Sequence, residues 1–320
     1  MAGFTDANMD ILTRAEVWAD QLKDVLLDDL QGMQYVDWIS DFPDGDLFTI
    51  PSVGQAEVDN YVEDTAVTYR AMDLGEWQFS INRYKSSAHY ITMKQRQDSK
   101  YAARLEAMFV PKQHRAIAEA LEIDIMNLAM SQTASVVNAI NGVDHRWIGS
   151  GTNETMAPQD FAKAKLALKK ANVPLTALVA FVDPTVGYTL ETHPNFINFS
   201  NNCQWEGIVA TGLTSGMRFI KNVYGFDVYE TNYLADANET ITATGGSAKT
   251  TAAGKANMFF SAAGGDINPF KGAWRQMPKV DSRFNQDFQR EEYVTTARWG
   301  VKLYREDNLV VVLTDTDQIV

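Results

Sequence analysis

The chain has 320 residues, a single Cys, 45% hydrophobic and 22% charged side chains, which is the composition of a folded protein with room for about two domains and argues against disorder or a fibrous repeat. Cys203 alone excludes an intramolecular disulfide framework and fits a reducing compartment. The longest apolar runs, 177–182 and 309–313, are far below the roughly 18 residues of a membrane span, and with Arg14 as the first basic residue neither a signal peptide nor an anchor is expected.

The net charge of -13 is not spread evenly. Residues 1–64 carry fifteen Asp and Glu against only Arg14 and Lys23, which accounts for all of it. Residues 70–115 run the other way, with nine basic and four acidic side chains. A chain this acidic lacks the Lys and Arg surplus needed to displace counterions from DNA, so non-specific nucleic-acid binding is excluded.

Residues 10–33 read as an amphipathic helix. Ile11, Ala15, Trp18, Leu22, Val25, Leu26 and Leu30 fall on one side, with Asp20, Asp24 and Asp28 at four-residue spacing on the other. Thr13 and Glu16 have capping-box spacing. The acidic face is either solvated or docks on another subunit. Residues 41–51 are a turn cluster leading into a short strand that Pro51 halts. The Asp cluster fails as a calcium loop, because Gly45 stands one place early and Ser52 occupies the position of the closing Glu.

From Thr65 to Met93 the period changes to two. Trp77, Phe79 and Ile81 alternate with polar residues, and 89–92 repeats the style, which predicts one long hairpin with its tip near Lys85. A two-stranded ribbon is marginal alone, so it should lie on something else, such as another copy of the chain. Residues 98–109 and 112–140 are expected to be two helices parted by Pro111, the second spanning about 40 Å. Residues 143–157 read as a loop, 158–171 as a helix opened by Pro158 with lysines in its last turns, and 178–182 as a buried strand. Short elements are expected at 208–210, 219–223 and 226–229. Residues 235–257, with Ile241 as the one sizeable apolar side chain, predict an exposed, mobile loop. Residues 293–303 and 309–314 read as a terminal hairpin.

The residues offer little chemistry. His89, His114, His145 and His193 are too far apart in sequence to form a helical metal pair, and Cys203 has no second Cys, which excludes a structural zinc site. Asp144, His145 and Ser150 are loose triad vocabulary, but adjacent Asp and His side chains rarely face one another. No phosphate-binding or dinucleotide glycine motif is present, and Glu119 and Glu122 on one helix face read as solvated. No catalytic, cofactor-binding or metal site is expected, which favours a structural or binding role over an enzyme.

The segment 45–51 (GDLFTIP) with Gly54, then 61–64 (YVED), 75–81 (GEWQFSI) and 93–98 (MKQRQD), resembles tailed-bacteriophage major capsid proteins. The likeness continues through the long helix at 112–140, the helix and strand ending at Pro184, residues 225–234 (GFDVYETNYL) and the apolar last strand. It implies an α+β shell fold, shared with encapsulins and the herpesvirus capsid floor. Its parts would be an N-terminal arm (1–44), an extended β-hairpin loop (45–97), a peripheral domain with a long spine helix (98–190), an axial domain (191–280) that includes the loop 235–257, and a return to the peripheral domain (281–320). It further implies a major capsid protein that self-assembles through pentamers and hexamers into the icosahedral head around double-stranded DNA. Scaffolding, portal and decoration proteins would be its partners, the virion its location and the host cytoplasm its place of assembly. An encapsulin-like compartment shell, or a soluble enzyme with an unrecognised site, are the alternatives. On this reading the acidic arm, with Asp20, Asp24 and Asp28, meets Arg83, Lys85 and Arg96 of a neighbouring copy, which sets orientation and rate more than strength. Trp77, Phe79 and Ile81 would be buried under a neighbour at about 1.5–3 kcal/mol each. Lys85, near the expected hairpin tip, is also where some relatives form covalent cross-links, although no acid catalyst or Asn partner can be assigned to it.

Overall fold

The computed structural model describes residues 29–40, 47–98 apart from 55, 57, 68 and 73, 102–192, and 219–316. Most of the expected helix at 10–33 lies outside them; where its end is described, residues 29–31 are not helical and Gly32–Tyr35 form a 3-10 turn that leads into strand β1 (Val36–Trp38).

Strands β2 (Leu47–Val53) and β3 (Leu74–Ser80) pair antiparallel as a two-stranded ribbon. After Ile81 and Asn82 the chain enters β4 (Arg83–Thr92), short helix α1 (Met93–Asp98) and helix α2 (Ala102–Met126). The long strands β14 (Phe270–Asn285) and β15 (Arg290–Leu303) complete a four-stranded sheet in the order β1-β14-β15-β4. The expected hairpin with its tip at Lys85 is therefore corrected. Residues 83–92 pair with β15, register Lys85 to Ala297, and the ribbon's true tip lies between Val53 and Leu74. Alternation marks a strand with a buried face, but a ladder partner more than 200 residues away leaves no local trace.

Helix α2 braces this sheet. Pro111 lies inside it, and a single helix of 25 residues, about 37 Å long, replaces the two expected; it ends at Met126 instead of running on to 140. The fully buried Gln113 donates from Nε2 to the Tyr293 carbonyl (2.9 Å) and accepts from the Thr295 hydroxyl (2.7 Å). Phe109 stacks on His89 at 5.4 Å. Polar Gln113 thus ties the helix to β15 with both ends of its amide satisfied.

The second sheet has six strands in the order β7-β16-β13-β8-β10-β9. They are β7 (Arg146–Ile148), β8 (Leu178–Val182), β9 (Phe219–Val223), β10 (Phe226–Glu230), β13 (Gly254–Ser261) and β16 (Leu309–Asp315). Short pairs β5 (Ala139–Ile140) with β6 (Val143–Asp144) and β11 (Thr240–Thr242) with β12 (Ala248–Thr250) flank it. Every residue of β8 and β16 is buried, because both faces of the sheet are covered. Val179, Phe181, Val311 and Leu313 join Ile117, Leu121 and Ile125 of α2 in one core. Leu178, Ala180, Val182, Val310 and Val312 join Phe161, Ala164 and Leu168 of α3 (Pro158–Lys170), and Val186 and Leu190 of α4 (Pro184–Thr192), in another.

Two further expectations change here. The last strand does not fold back on β15; β16 pairs with β13 and β7. Residues 235–257 are not an exposed loop either, since Ala235, Ala237, Ile241 and Ala256 are buried and the segment enters the sheet through β13. The small side chains are what admits it. A Cβ on Gly254 would collide with the Ala237 carbonyl oxygen. Asn257, fully buried, donates to the Val312 carbonyl (2.9 Å) and accepts from the Asp183 amide (2.9 Å).

Candidate inter-subunit surface

The β2–β3 ribbon has two unlike faces. Register sets Phe48 opposite Phe79 and Ile50 opposite Trp77, so these four side chains share the face turned to the four-stranded sheet. Phe79 and Ile81 are buried in a small core with Ala273, and Trp77 is half-buried beside it. Trp77 stacks on Phe79 at 5.6 Å, meets the edge of Tyr304 at 5.1 Å, and donates its indole N–H to the Leu303 carbonyl (3.0 Å). Lys302 lies over the indole at 5.6 Å and donates to the Gln78 carbonyl. The cover expected from a neighbour on Phe79 and Ile81 is thus supplied by the same chain. Alternation announces that a face is buried without saying by which copy.

Backbone contact at this root is tight. A Cβ on Gly300 would sit 2.7 Å from the Ser80 carbonyl oxygen and 3.0 Å from the Phe79 ring. Glycine is what lets β15 pass so close to the end of β3.

Two of the basic residues of the same region, Arg83 and Arg96, have partners within the chain. Arg83 lies 3.6 Å from Asp124, which also accepts from the Trp299 indole (3.1 Å). Arg96 bridges Glu106 (3.3 Å) and Glu291 (2.9 Å), and the Tyr293 hydroxyl donates to the same two carboxylates. Burial, then those carboxylates, push the Tyr293 phenol well above its ordinary range. Lys85 is exposed on β4. Asp20, Asp24 and Asp28 lie outside the described residues.

At the far end of the ribbon the side chains face solvent. Val53, Val58, Tyr61, Val67, Tyr69 and Leu74 are all exposed, Val58 at 96% and Tyr69 at 95%. An Arg70 to Asp59 ion pair (2.9 Å) crosses this tip. No periodicity singles these residues out in the sequence. Their signal is position, as apolar residues in the polar link between two alternating segments, with no third segment nearby to cover them.

The entry of the N-terminal segment is fixed by Glu122. This buried carboxylate accepts from the backbone N–H of Gln31 (3.0 Å) and, through both oxygens, of Gly32 (2.9 Å). Burial raises its pKa, while the two N–H donors and Arg115 pull the other way. Glu122 is a clamp and not a solvated surface residue, whereas Glu119 pairs with Arg115 at 3.1 Å.

The triad vocabulary does not assemble. Asp144 accepts from Thr244 and lies 3.6 Å from Lys163, while the buried His145 donates Nδ1 to the Val143 carbonyl (3.1 Å) and burial lowers its pKa. Ser150 accepts from Gln159 (2.7 Å). Among the described residues no group of His, Cys, Asp or Glu could hold a metal ion, and no helix is long and apolar enough to cross a membrane.

Comparison with known proteins gives the arrangement a family. Among solved structures, one titled Mycobacterium phage Che8 aligns with TM-score 0.66 at 17% identity, covering 93% of this chain and 96% of that one. The capsid of the cyanophage P-SCSP1u aligns at 0.69 and 16% identity, covering 95% and 93%. The mature capsid of bacteriophage PhiM1 aligns at 0.69 and 9% identity, covering 98% and 95%. At these identities the likeness carries the fold, mixed helix and sheet with the architecture of phage capsid shells. No curated protein matches in sequence. A family model described as phage capsid protein matches residues 56–312, from the ribbon tip into the last strand. The chain belongs to the phage capsid protein family.

Proposed function

We propose that the chain is the major capsid protein of a tailed phage, and that copies associate as pentamers and hexamers into the head that encloses double-stranded DNA. The role is structural, with no reaction. The observation that carries the assembly reading is the ribbon tip. Exposed valines, tyrosines and Leu74 on a two-stranded arm, rooted by Trp77, Phe79 and Ile81 in its own sheet, form an apolar patch that needs covering. A neighbouring copy that receives this tip completes the arm. The acidic excess of residues 1–64 favours contacts to the basic stretch of other copies over contacts to DNA. Exposed Lys85 is the one cation of the three named above without an intrachain ion pair among the described residues. Scaffolding, portal and decoration proteins are further partners on this reading, with the virion as location and the host cytoplasm as site of assembly.

Gel filtration of the purified full-length chain, followed by electron microscopy, tests it. Pentamers, hexamers or closed shells are the expected result; a monomer or dimer under all conditions of salt and concentration overturns the reading.

A further inference from the structure

A cleft of about 590 Å³ opens between the first turns of α3 and the β11–β12 hairpin. Trp147 and Ile148 of β7, with Ile241 and Ala243 from the hairpin, give it apolar walls. Polar struts keep the hairpin from closing on them. Thr244 in its turn donates both its amide (3.1 Å) and its hydroxyl to Asp144, and Lys249 of β12 donates to the Gly149 carbonyl (2.7 Å). The turn beside the mouth, residues 244–247, is exposed.

We propose that this cleft binds a peptide segment of a separate protein, with a bulky apolar side chain against the Trp147 and Ile241 wall and an adjacent carboxylate met by Lys163 and Lys249. The inventory of hydrogen-bonding groups leads there. The carboxylates at the cleft are spent. Asp144 is taken by Thr244, and the buried Asp160 accepts from the Trp147 indole (3.1 Å) and from the Ser150 (3.0 Å) and Ala157 (2.9 Å) amides. The Gly149 and Gly151 amides are taken as well, by the Leu313 and Thr155 carbonyls. The charged donors with capacity left are two ammonium groups, each with three N–H bonds. Lys163 lies over the Trp147 ring at 4.2 Å and 3.6 Å from Asp144, longer than a hydrogen bond. Lys249 has no acidic partner among the described residues. Two lysines against two aspartates leave the cleft formally neutral, which admits one carboxylate and disfavours a doubly charged phosphate. Among the described residues lining it there is no arginine, the side chain whose planar fork matches phosphate. The volume is that of a small-ligand pocket, enough for one large side chain and its flanking backbone. Another copy of this chain fits less well, because its exposed apolar ribbon tip sets Glu63 and Asp64 side by side, a double charge that a neutral cleft does not balance.

The test uses the full-length, unassembled chain and an acetylated, amidated tetrapeptide of alanine, 4-fluorophenylalanine, aspartate and alanine, followed by fluorine NMR. Saturable binding is expected, about tenfold weaker for the asparagine analogue and about tenfold weaker for Lys163→Gln with Lys249→Gln, as loss of a charge-assisted hydrogen bond implies. Ala243→Trp, which fills the cleft and keeps both lysines, is expected to abolish binding without moving the urea midpoint. No binding by the wild type, or equal affinity for the asparagine analogue, overturns the proposal. Tighter competition by adenosine monophosphate overturns it in favour of a phosphate ligand, and tighter competition by a peptide of residues 58–66 overturns it in favour of a second copy. The measurement needs no particles, so its failure is distinct from failure of the capsid reading.

Discussion

Arg146 on β7 and Glu239 just ahead of β11 form a two-pronged ion pair, Nη2 to Oε1 at 2.8 Å and Nε to Oε2 at 3.1 Å, with 0% and 7% of their side chains exposed. The guanidinium also donates to the Ala129 carbonyl (3.0 Å), and the Glu239 carboxylate accepts from the Ser135 amide (2.9 Å). This one pair joins the 3-10 turn that follows α2 (Asn127–Ser131), the edge of the six-stranded sheet and the segment 235–257.

Removing one partner should therefore be costly. Glu239→Ala leaves a buried cation uncompensated and is expected to lower unfolding free energy by about 3–5 kcal/mol, measured by urea denaturation. Replacing both, Arg146→Met with Glu239→Leu, is expected to recover most of the loss, since buried apolar pairs of similar volume often match a buried ion pair. A double variant as unstable as the single one would show that the other hydrogen bonds carry the site.

Gly300→Ala tests the root of the ribbon. The added methyl meets backbone at Ser80 and Ile81, which cannot swing away as a flexible side chain would. A loss of about 1–3 kcal/mol is expected from overpacking. Hydrogen exchange at residues 79–81 should rise more than exchange in β8, which lies in the other sheet.

The ribbon's two ends should respond differently. Phe79→Ala is expected to cost the isolated subunit about 3–5 kcal/mol, because its cavity opens inside one chain. Val58→Asp with Tyr69→Asp, at exposed sites, should leave subunit stability within about 0.5 kcal/mol yet abolish shells seen by electron microscopy. Shells formed by the double variant at the wild-type yield would remove the tip from the assembly contacts.

Acid should loosen the far end of β14 and β15. Arg283 first, then Arg290 and Asn285, hold the Glu292 carboxyl down from 4.5 to about 2. A depressed folded-state pKa means that the unfolded chain binds the proton first. The stabilisation is whole above about pH 4.5 and is lost as pH falls towards about 2. Amide exchange at residues 283–292 is expected to rise across that window in wild type, to do so less in Glu292→Gln, and to show a smaller pH dependence at high salt, where exposed pairs are screened.

Much of the architecture is legible along the chain. The charge split between 1–64 and 70–115, the helix from Pro158, the buried strands 178–182 and 309–313, and the motifs that resemble capsid proteins are local properties of composition and period. Other features are local yet ambiguous. Pro111 signals a helix break as readily as an irregular turn inside one helix, and the α2 packing against β4 and β15 decides between them. Glu122 looks like a surface carboxylate until the backbone of Gly32, ninety positions away, closes on it.

What the sequence determined by itself was which segments have faces to bury. The tertiary structure alone decided what buries them: β15 for 83–92, Ala273 and the chain's own sheet for Phe79 and Ile81, β13 and β7 for the last strand. Period and hydropathy are set by a residue's neighbours in sequence, whereas pairing is set by the whole chain's search for mutually compatible partners. The segment 235–257 marks the limit most clearly, since Ala, Gly and Thr carry little hydrophobic signal, yet their smallness is the reason that part of the chain can pass through the core.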